Sequence, residues 1–172
     1  MTEKKKNYYR RVARGAEGEH TTYIVQKRAG FPIFSIGHSN RTLVDFLTIL
    51  KRYGVEALAD IRTYPRSKRN PHFDSESLEK ELPPNGIEYV WIKELGGMRE
   101  DGFENYMNTS GFEEGFNTLV ALAGEKRTAF MCSELDWRNC HRSFVSHALY
   151  SRGWEVVHIY DENESETHAG LF

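Results

Sequence analysis

Residues 32–62 read Pro32-Ile33-Phe34-Ser35-Ile36-Gly37-His38-Ser39-Asn40-Arg41-Thr42-Leu43-Val44-Asp45-Phe46-Leu47-Thr48-Ile49-Leu50-Lys51-Arg52-Tyr53-Gly54-Val55-Glu56-Ala57-Leu58-Ala59-Asp60-Ile61-Arg62. The first six form a short, mostly apolar run with turn formers around it, the pattern of a buried strand. Leu43, Phe46, Leu47 and Leu50 follow at i, i+3, i+4 and i+7, which lines one side of a helix with apolar groups. Ser39 or Asn40 offers the helix an N-cap, because a short side-chain oxygen can accept from the orphan N–H groups. Gly54 supplies a stop, and Ala57–Arg62 is a second apolar run ending in charge. Strand, helix, strand in this order predicts a β-α-β unit with parallel strands, since parallel neighbours need a crossover connection.

The cycle repeats outward. After a polar loop from Thr63 to Asp74, a short helix is predicted near Ser75–Leu82, closed by Pro83-Pro84-Asn85-Gly86. Ile87–Ile92 reads as a third strand. Phe116, Leu119, Val120 and Ala123 mark a helix, and Thr128–Met131 a fourth strand. Phe144, Val145, Ala148 and Leu149 mark another helix before a last strand at Glu155–Ile159. The expectation is a single α/β domain over residues 31–172, with a mostly parallel sheet of about five strands and helices on both faces.

Composition narrows the class. A chain of 172 residues with 39% hydrophobic and 28% charged residues can bury a sizeable core, so disorder over most of its length is excluded. No apolar run approaches the roughly 20 residues of a membrane span, so no membrane partner is expected. Two cysteines, Cys132 and Cys140, are too few for a disulfide scaffold, and a reducing, cytoplasmic setting is expected. The net charge of −2 is unevenly spread: residues 1–30 carry +5 and the remainder −7. Residues 1–30 therefore read as a basic N-terminal arm or, through Tyr23–Val25, an extra strand.

In parallel sheets ligands bind beyond the carboxyl ends of the strands, so chemistry-bearing residues should gather just after each one. His38, Ser39 and Asn40 follow the first strand. Asp60 and Arg62 end the second, with Arg66, Lys68, Arg69, Asn70 and His72 in the loop beyond. Glu94 and Gly96-Gly97 follow the third; Cys132, Glu134, Cys140, His141 and Arg142 follow the fourth; His158 sits near the end of the fifth. A contribution from every strand end marks a site.

Several of these stretches resemble one known family. They are Phe34–Asn40, Asp60-Ile61-Arg62-Thr63-Tyr64-Pro65 with Asn70-Pro71-His72-Phe73, Leu95-Gly96-Gly97, Cys132-Ser133-Glu134 with Cys140-His141-Arg142, and Val157-His158-Ile159 with His168. In order and spacing they are similar to the domain-of-unknown-function family 488, over about residues 31–170. The resemblance implies family membership and no particular reaction.

Three readings of Cys132–Arg142 stay open. Cys132 and Arg138 have the Cys-x5-Arg spacing of cysteine phosphatases, although the loop between them lacks glycine and carries Glu134 and Asp136. Cys132, Cys140 and His141 could hold a metal with His158 or His168, although Cys-x7-Cys-His is not a zinc-knuckle spacing. In the third reading, which is preferred, the cysteines are packing residues beside a polar pocket. Asp60 and Glu134 then become the acid/base candidates, with His38 and Cys132 as further catalytic candidates. Arg62, Arg69 and Arg142 form an anion clamp, supported by Asn70 and His141. The resulting expectation is an enzyme that hydrolyses or transfers a group on a phosphate-bearing, nucleotide-like or nucleic-acid-like substrate. The alternatives are a non-catalytic binding module for nucleotide or nucleic acid, and a cysteine/histidine redox or metal-dependent protein. No cofactor is named by the sequence, and an anionic small molecule or a nucleic acid is the expected partner.

Overall fold

The computed structural model describes Tyr9–Arg11, Tyr23–Val25 and residues 31–170. In chain order the strands are β1 (Tyr9–Arg11), β2 (Tyr23–Val25), β3 (Ile33–Gly37), β4 (Ala57–Asp60), β5 (Glu88–Trp91), β6 (Thr128–Cys132), β7 (Val156–Ile159) and β8 (Ser165–Thr167). The helices are α1 (Leu43–Arg52), α2 (Ser75–Glu81), α3 (Phe103–Tyr106), α4 (Ser110–Glu125) and α5 (Arg142–Ser151).

Six strands make the main sheet, in the order β5-β4-β6-β3-β7-β8. The five predicted strands run parallel; β8 adds an antiparallel sixth at the edge, with His158 opposite Glu166. Strands β1 and β2 pair with each other, Tyr9 opposite Val25, as a separate two-stranded sheet. Tyr23–Val25 is thus a strand but not an added edge of the main sheet. The rest of the expected basic arm lies outside the described residues.

Alternate residues of the central strands feed two cores. Ile33, Ala59, Ile61 and Phe130 pack under Phe112, Phe116 and Leu119 of α4 and Val145 and Leu149 of α5. Phe34, Ile36, Leu58 and Met131 pack under Phe46, Ile49 and Leu50 of α1 and Leu78 of α2. This period-two division explains why β3, β4 and β6 are buried along their whole length.

Strands β3 and β6 are neighbours, yet α1 leaves β3 toward one face and α5 follows β6 onto the other. Helices that leave neighbouring strands toward opposite faces mark the topological switch point, the place where such sheets bind ligands. Gly37 ends β3 opposite Cys132, and its missing side chain is required: a Cβ there would stand 1.7 Å from the Glu134 carbonyl oxygen. The backbone continues to pair beyond the strands, with His38 N–H donating to the Cys132 carbonyl and Ser39 N–H to the Ser133 carbonyl.

One helix start differs from the sequence reading. Helix α1 is capped by Thr42, whose hydroxyl accepts from Asp45 N–H at 3.1 Å, not by Ser39 or Asn40. Ser39 adopts a positive φ of 49° in the strand-end loop, so the chain turns before the helix begins. Asn139 closes a short 3₁₀ turn, Trp137–Asn139, and α5 starts after His141.

Candidate active site

A cavity of about 480 Å³ opens over the ends of β3, β4 and β6. Its lining includes His38, Arg62, Cys132, Glu134 and His141 from the sequence candidates, together with Cys140. Asp60 lies behind Arg62 at zero exposure. Arg142 lies behind the Glu134–Leu135 loop, also buried, and is not part of the lining.

The wall at β4 is a closed polar network. Arg62 donates from Nε to Asp60 Oδ1 at 2.9 Å, and from Nη2 to Asp60 Oδ2 at 2.6 Å and to the Phe73 carbonyl at 2.7 Å. Tyr89 Oη–H donates to Asp60 Oδ2 at 2.7 Å. Burial works against the Arg62 charge, but the bonds and charge of Asp60 outweigh it and hold the guanidinium above its ordinary pKa. Burial, reinforced by Asp60, pushes the Tyr89 hydroxyl up as well. Arg62 Nη1 is left with one long contact, 3.4 Å to His38 Nε2. His38 donates from Nδ1 to the Ser39 carbonyl at 2.8 Å and stacks on Phe73, with ring centroids 4.4 Å apart. Burial lowers its pKa to about 4, so the ring is neutral at pH 7.

Arg142 is a brace. It donates from Nη1 to Ser35 Oγ at 3.0 Å, and from Nη2 to the Glu134 and Leu135 carbonyls. It thereby ties α5 and β3 to the loop after Cys132. Arg62 and Arg142 thus differ from the expected clamp: each has internal acceptors, and only Arg62 reaches the cavity. Arg69 is exposed on the loop beyond β4, and Asn70 braces that loop through Nδ2 to the Ser39 carbonyl at 3.3 Å. Glu134 stands exposed at the rim, accepting from Ser133 Oγ at 3.3 Å. The exposed cation on the lining is Arg66, paired loosely with Glu76 at 4.0 Å.

The floor is where the cysteines meet a histidine. His141 Nε2 lies 2.8 Å from the Ile61 carbonyl, which can only accept, so Nε2 carries the proton and Nδ1 faces inward. Cys132 Sγ lies 3.8 Å and Cys140 Sγ 3.6 Å from that Nδ1. These two sulfurs and the nitrogen lie within 4.8 Å of one another. A hydrogen bond from Cys140 holds the Cys132 thiol well below its ordinary pKa; burial opposes this and His141 reinforces it. The same bond, together with burial, pushes the Cys140 thiol up. Cys132 is buried as packing predicts, but its sulfur belongs to the cavity floor. Gly97 closes the floor from the side. A Cβ there would come within 2.4 Å of His141 Nδ1 and 2.6 Å of Cγ, so the imidazole occupies the space a side chain would need.

The other readings of this segment take a different shape. Arg138 is exposed and pairs with Asp136 and Glu166, so the Cys-x5-Arg spacing wraps no loop around the Cys132 sulfur. His158 and His168 bond each other, Nε2 to Nδ1 at 3.1 Å, with His158 stacked on Trp137 at 4.1 Å; neither joins the sulfurs. The sequence reading missed Tyr89 and Phe73 as supports, and it placed Gly96-Gly97 at the strand end without a partner. The close approach of Gly97 to His141 links segments 44 residues apart and has no local signal.

A cavity at the switch point of a parallel sheet, floored by two thiols and an imidazole, defines an α/β protein with a cysteine–histidine strand-end site. The family model described as Domain of unknown function DUF488 matches residues 42–149, more than half of the chain, and the chain belongs to that family. The match contains Asp60, Arg62, Cys132, Cys140 and His141; Phe34–Asn40, His158 and His168 lie outside it. Comparison with curated proteins and with solved structures gives no match. Among the described residues no helix is long and apolar enough to cross a membrane.

Proposed function

We propose that this chain is an enzyme that hydrolyses or transfers a group on a phosphate-bearing substrate, with Cys132, Cys140 and His141 as its reactive centre. One observation carries the reading: two sulfurs and one imidazole nitrogen converge within 4.8 Å on the floor of a cavity at the switch point. Asp60 and Arg62 neutralise each other and give the cavity a rigid wall. A phosphate would seat on the Arg66 side of the mouth, away from the Glu134 carboxylate. A reducing, cytoplasmic setting would keep both thiols available.

The test is a panel of phosphomonoesters, phosphodiesters and nucleoside polyphosphates, assayed with the wild type and Cys132→Ser. Turnover of at least one member that falls by 100-fold or more in Cys132→Ser supports the reading. Saturable binding of panel members without turnover by either protein would replace it with a binding module.

A further inference from the structure

We propose that Cys132 Sγ, Cys140 Sγ and His141 Nδ1 form a mononuclear site for a thiophilic cation of the zinc class, with one coordination position open to the cavity. This rests on the reading of the cluster as the reactive centre and names what the cluster holds.

Three observations carry it. The first is spacing. Zinc bonds of about 2.3 Å to sulfur and about 2.0 Å to nitrogen, at tetrahedral angles, put S and N about 3.6 Å apart. The two sulfurs stand 3.8 and 3.6 Å from His141 Nδ1. The second is the count of lone pairs. With Nε2–H given to the Ile61 carbonyl, His141 offers one lone pair, at Nδ1, and both sulfurs converge on it. A single hydrogen bond can use that lone pair, whereas one cation would take all three donors at once. The third is preorganisation. The His141 ring is fixed by a backbone carbonyl acceptor, the arrangement that orients histidines bound to metals, and it fits beside Gly97 because no Cβ stands there. Cys132 sits at the end of a fully buried strand, and the Cys140 sulfur accepts from Arg142 N–H at 3.4 Å at the start of α5.

Donor type selects the cation. Two sulfurs and a nitrogen suit zinc and its soft neighbours and not magnesium or calcium, which take oxygen ligands. Glu134 lies outside the cluster, so among the described residues the set stops at three, and the fourth position faces the cavity. Three protein ligands with an open position is the arrangement of catalytic rather than structural zinc.

The experiment titrates the reduced, chelator-treated full chain with Co²⁺, then displaces it with Zn²⁺. The expected result is one cobalt per chain, with intense tetrahedral d–d bands and a sulfur-to-cobalt charge-transfer band. Cys140→Ser should roughly halve the charge-transfer intensity and weaken binding by at least tenfold. In case that variant misfolds, iodoacetamide labelling of the wild type followed by mass spectrometry gives a second reading: Zn²⁺ should slow alkylation of both cysteines together. A weak octahedral spectrum, or equal alkylation with and without zinc, overturns the site. If no cobalt binds between the two sulfurs while the wild type turns over a panel substrate and Cys132→Ser does not, the metal site falls and the reactive centre stands. If cobalt binds one to one but Cys132→Ser keeps full turnover, the reactive centre falls and the metal site stands.

Discussion

Asp60→Ala removes the acceptor around which the β4 wall is built. The carboxylate is fully buried and takes Arg62 Nε at 2.9 Å, Arg62 Nη2 at 2.6 Å, Arg62 N–H at 3.1 Å and the Tyr89 hydroxyl at 2.7 Å. Without it, the guanidinium of Arg62, a residue only 5% exposed, keeps the Phe73 carbonyl and the long contact to His38. Breaking a buried pair by removing one partner costs about 3–5 kcal/mol, because the other charge is left uncompensated. At about 2–4 °C per kcal/mol for a chain of this size, Tm should fall by about 6–20 °C. Thermal melts and urea unfolding of wild type, Asp60→Ala and the double variant Asp60→Leu/Arg62→Met measure this. The double variant, with no charge left to strand, should lose less than the single one. An Asp60→Ala midpoint equivalent to less than about 1 kcal/mol would refute the argument, placing the pair in effective contact with water. A double variant worse than the single one would also count against it.

Other outcomes follow from particular contacts. Gly97→Ala puts a Cβ where the His141 ring stands, so Zn²⁺ affinity measured by dye competition should fall more than tenfold, with a smaller Tm change than Asp60→Ala. Unchanged affinity would mean that the ring is free to move. Thr42→Ala removes the α1 cap and should cost about 1 kcal/mol, seen as a urea midpoint shift with the fold intact. Burial lowers His158 to about 3 and His38 to about 4, and it lowers His168 as well. An unfolded histidine titrates near 6.5, so below that pH the unfolded chain takes up protons that the native one refuses. Stability should therefore fall as pH drops from about 6.5 towards 4, by about 1.4 kcal/mol per pH unit for each of His38 and His158. His158→Gln should flatten the slope; urea midpoints at pH 7, 6 and 5 that do not change would contradict it.

The fold was legible where apolar periodicity was strong. Leu43, Phe46, Leu47 and Leu50 lie within α1, and the five parallel strands fall where the apolar runs stand. Strand β8 was not legible, because Ser165-Glu166-Thr167 is a polar edge strand whose only structural cue is pairing with β7. For the candidate site, the strand-end rule named several residues that line the cavity, but not their partners. Asp60 ends β4 and Arg62 follows two residues on, and sequence could not tell a mutual pair from a free clamp. Which was realised depended on Tyr89 and the Phe73 carbonyl, 29 and 11 residues away from these two. The cysteines looked like packing because Cys-x7-Cys-His has no local metal-binding geometry. A 3₁₀ turn at Trp137–Asn139 brings Cys140 back beside His141 and the end of β6, a proximity the spacing alone does not reveal.

The most direct measurement is an anomalous difference map at the zinc edge from crystals of the full chain grown with Zn²⁺. The account predicts one dominant peak bounded by Cys132 Sγ, Cys140 Sγ and His141 Nδ1, with its open side towards the cavity that Arg62 and His38 line. Crystals with full zinc occupancy at other histidines and none between these two sulfurs would contradict it.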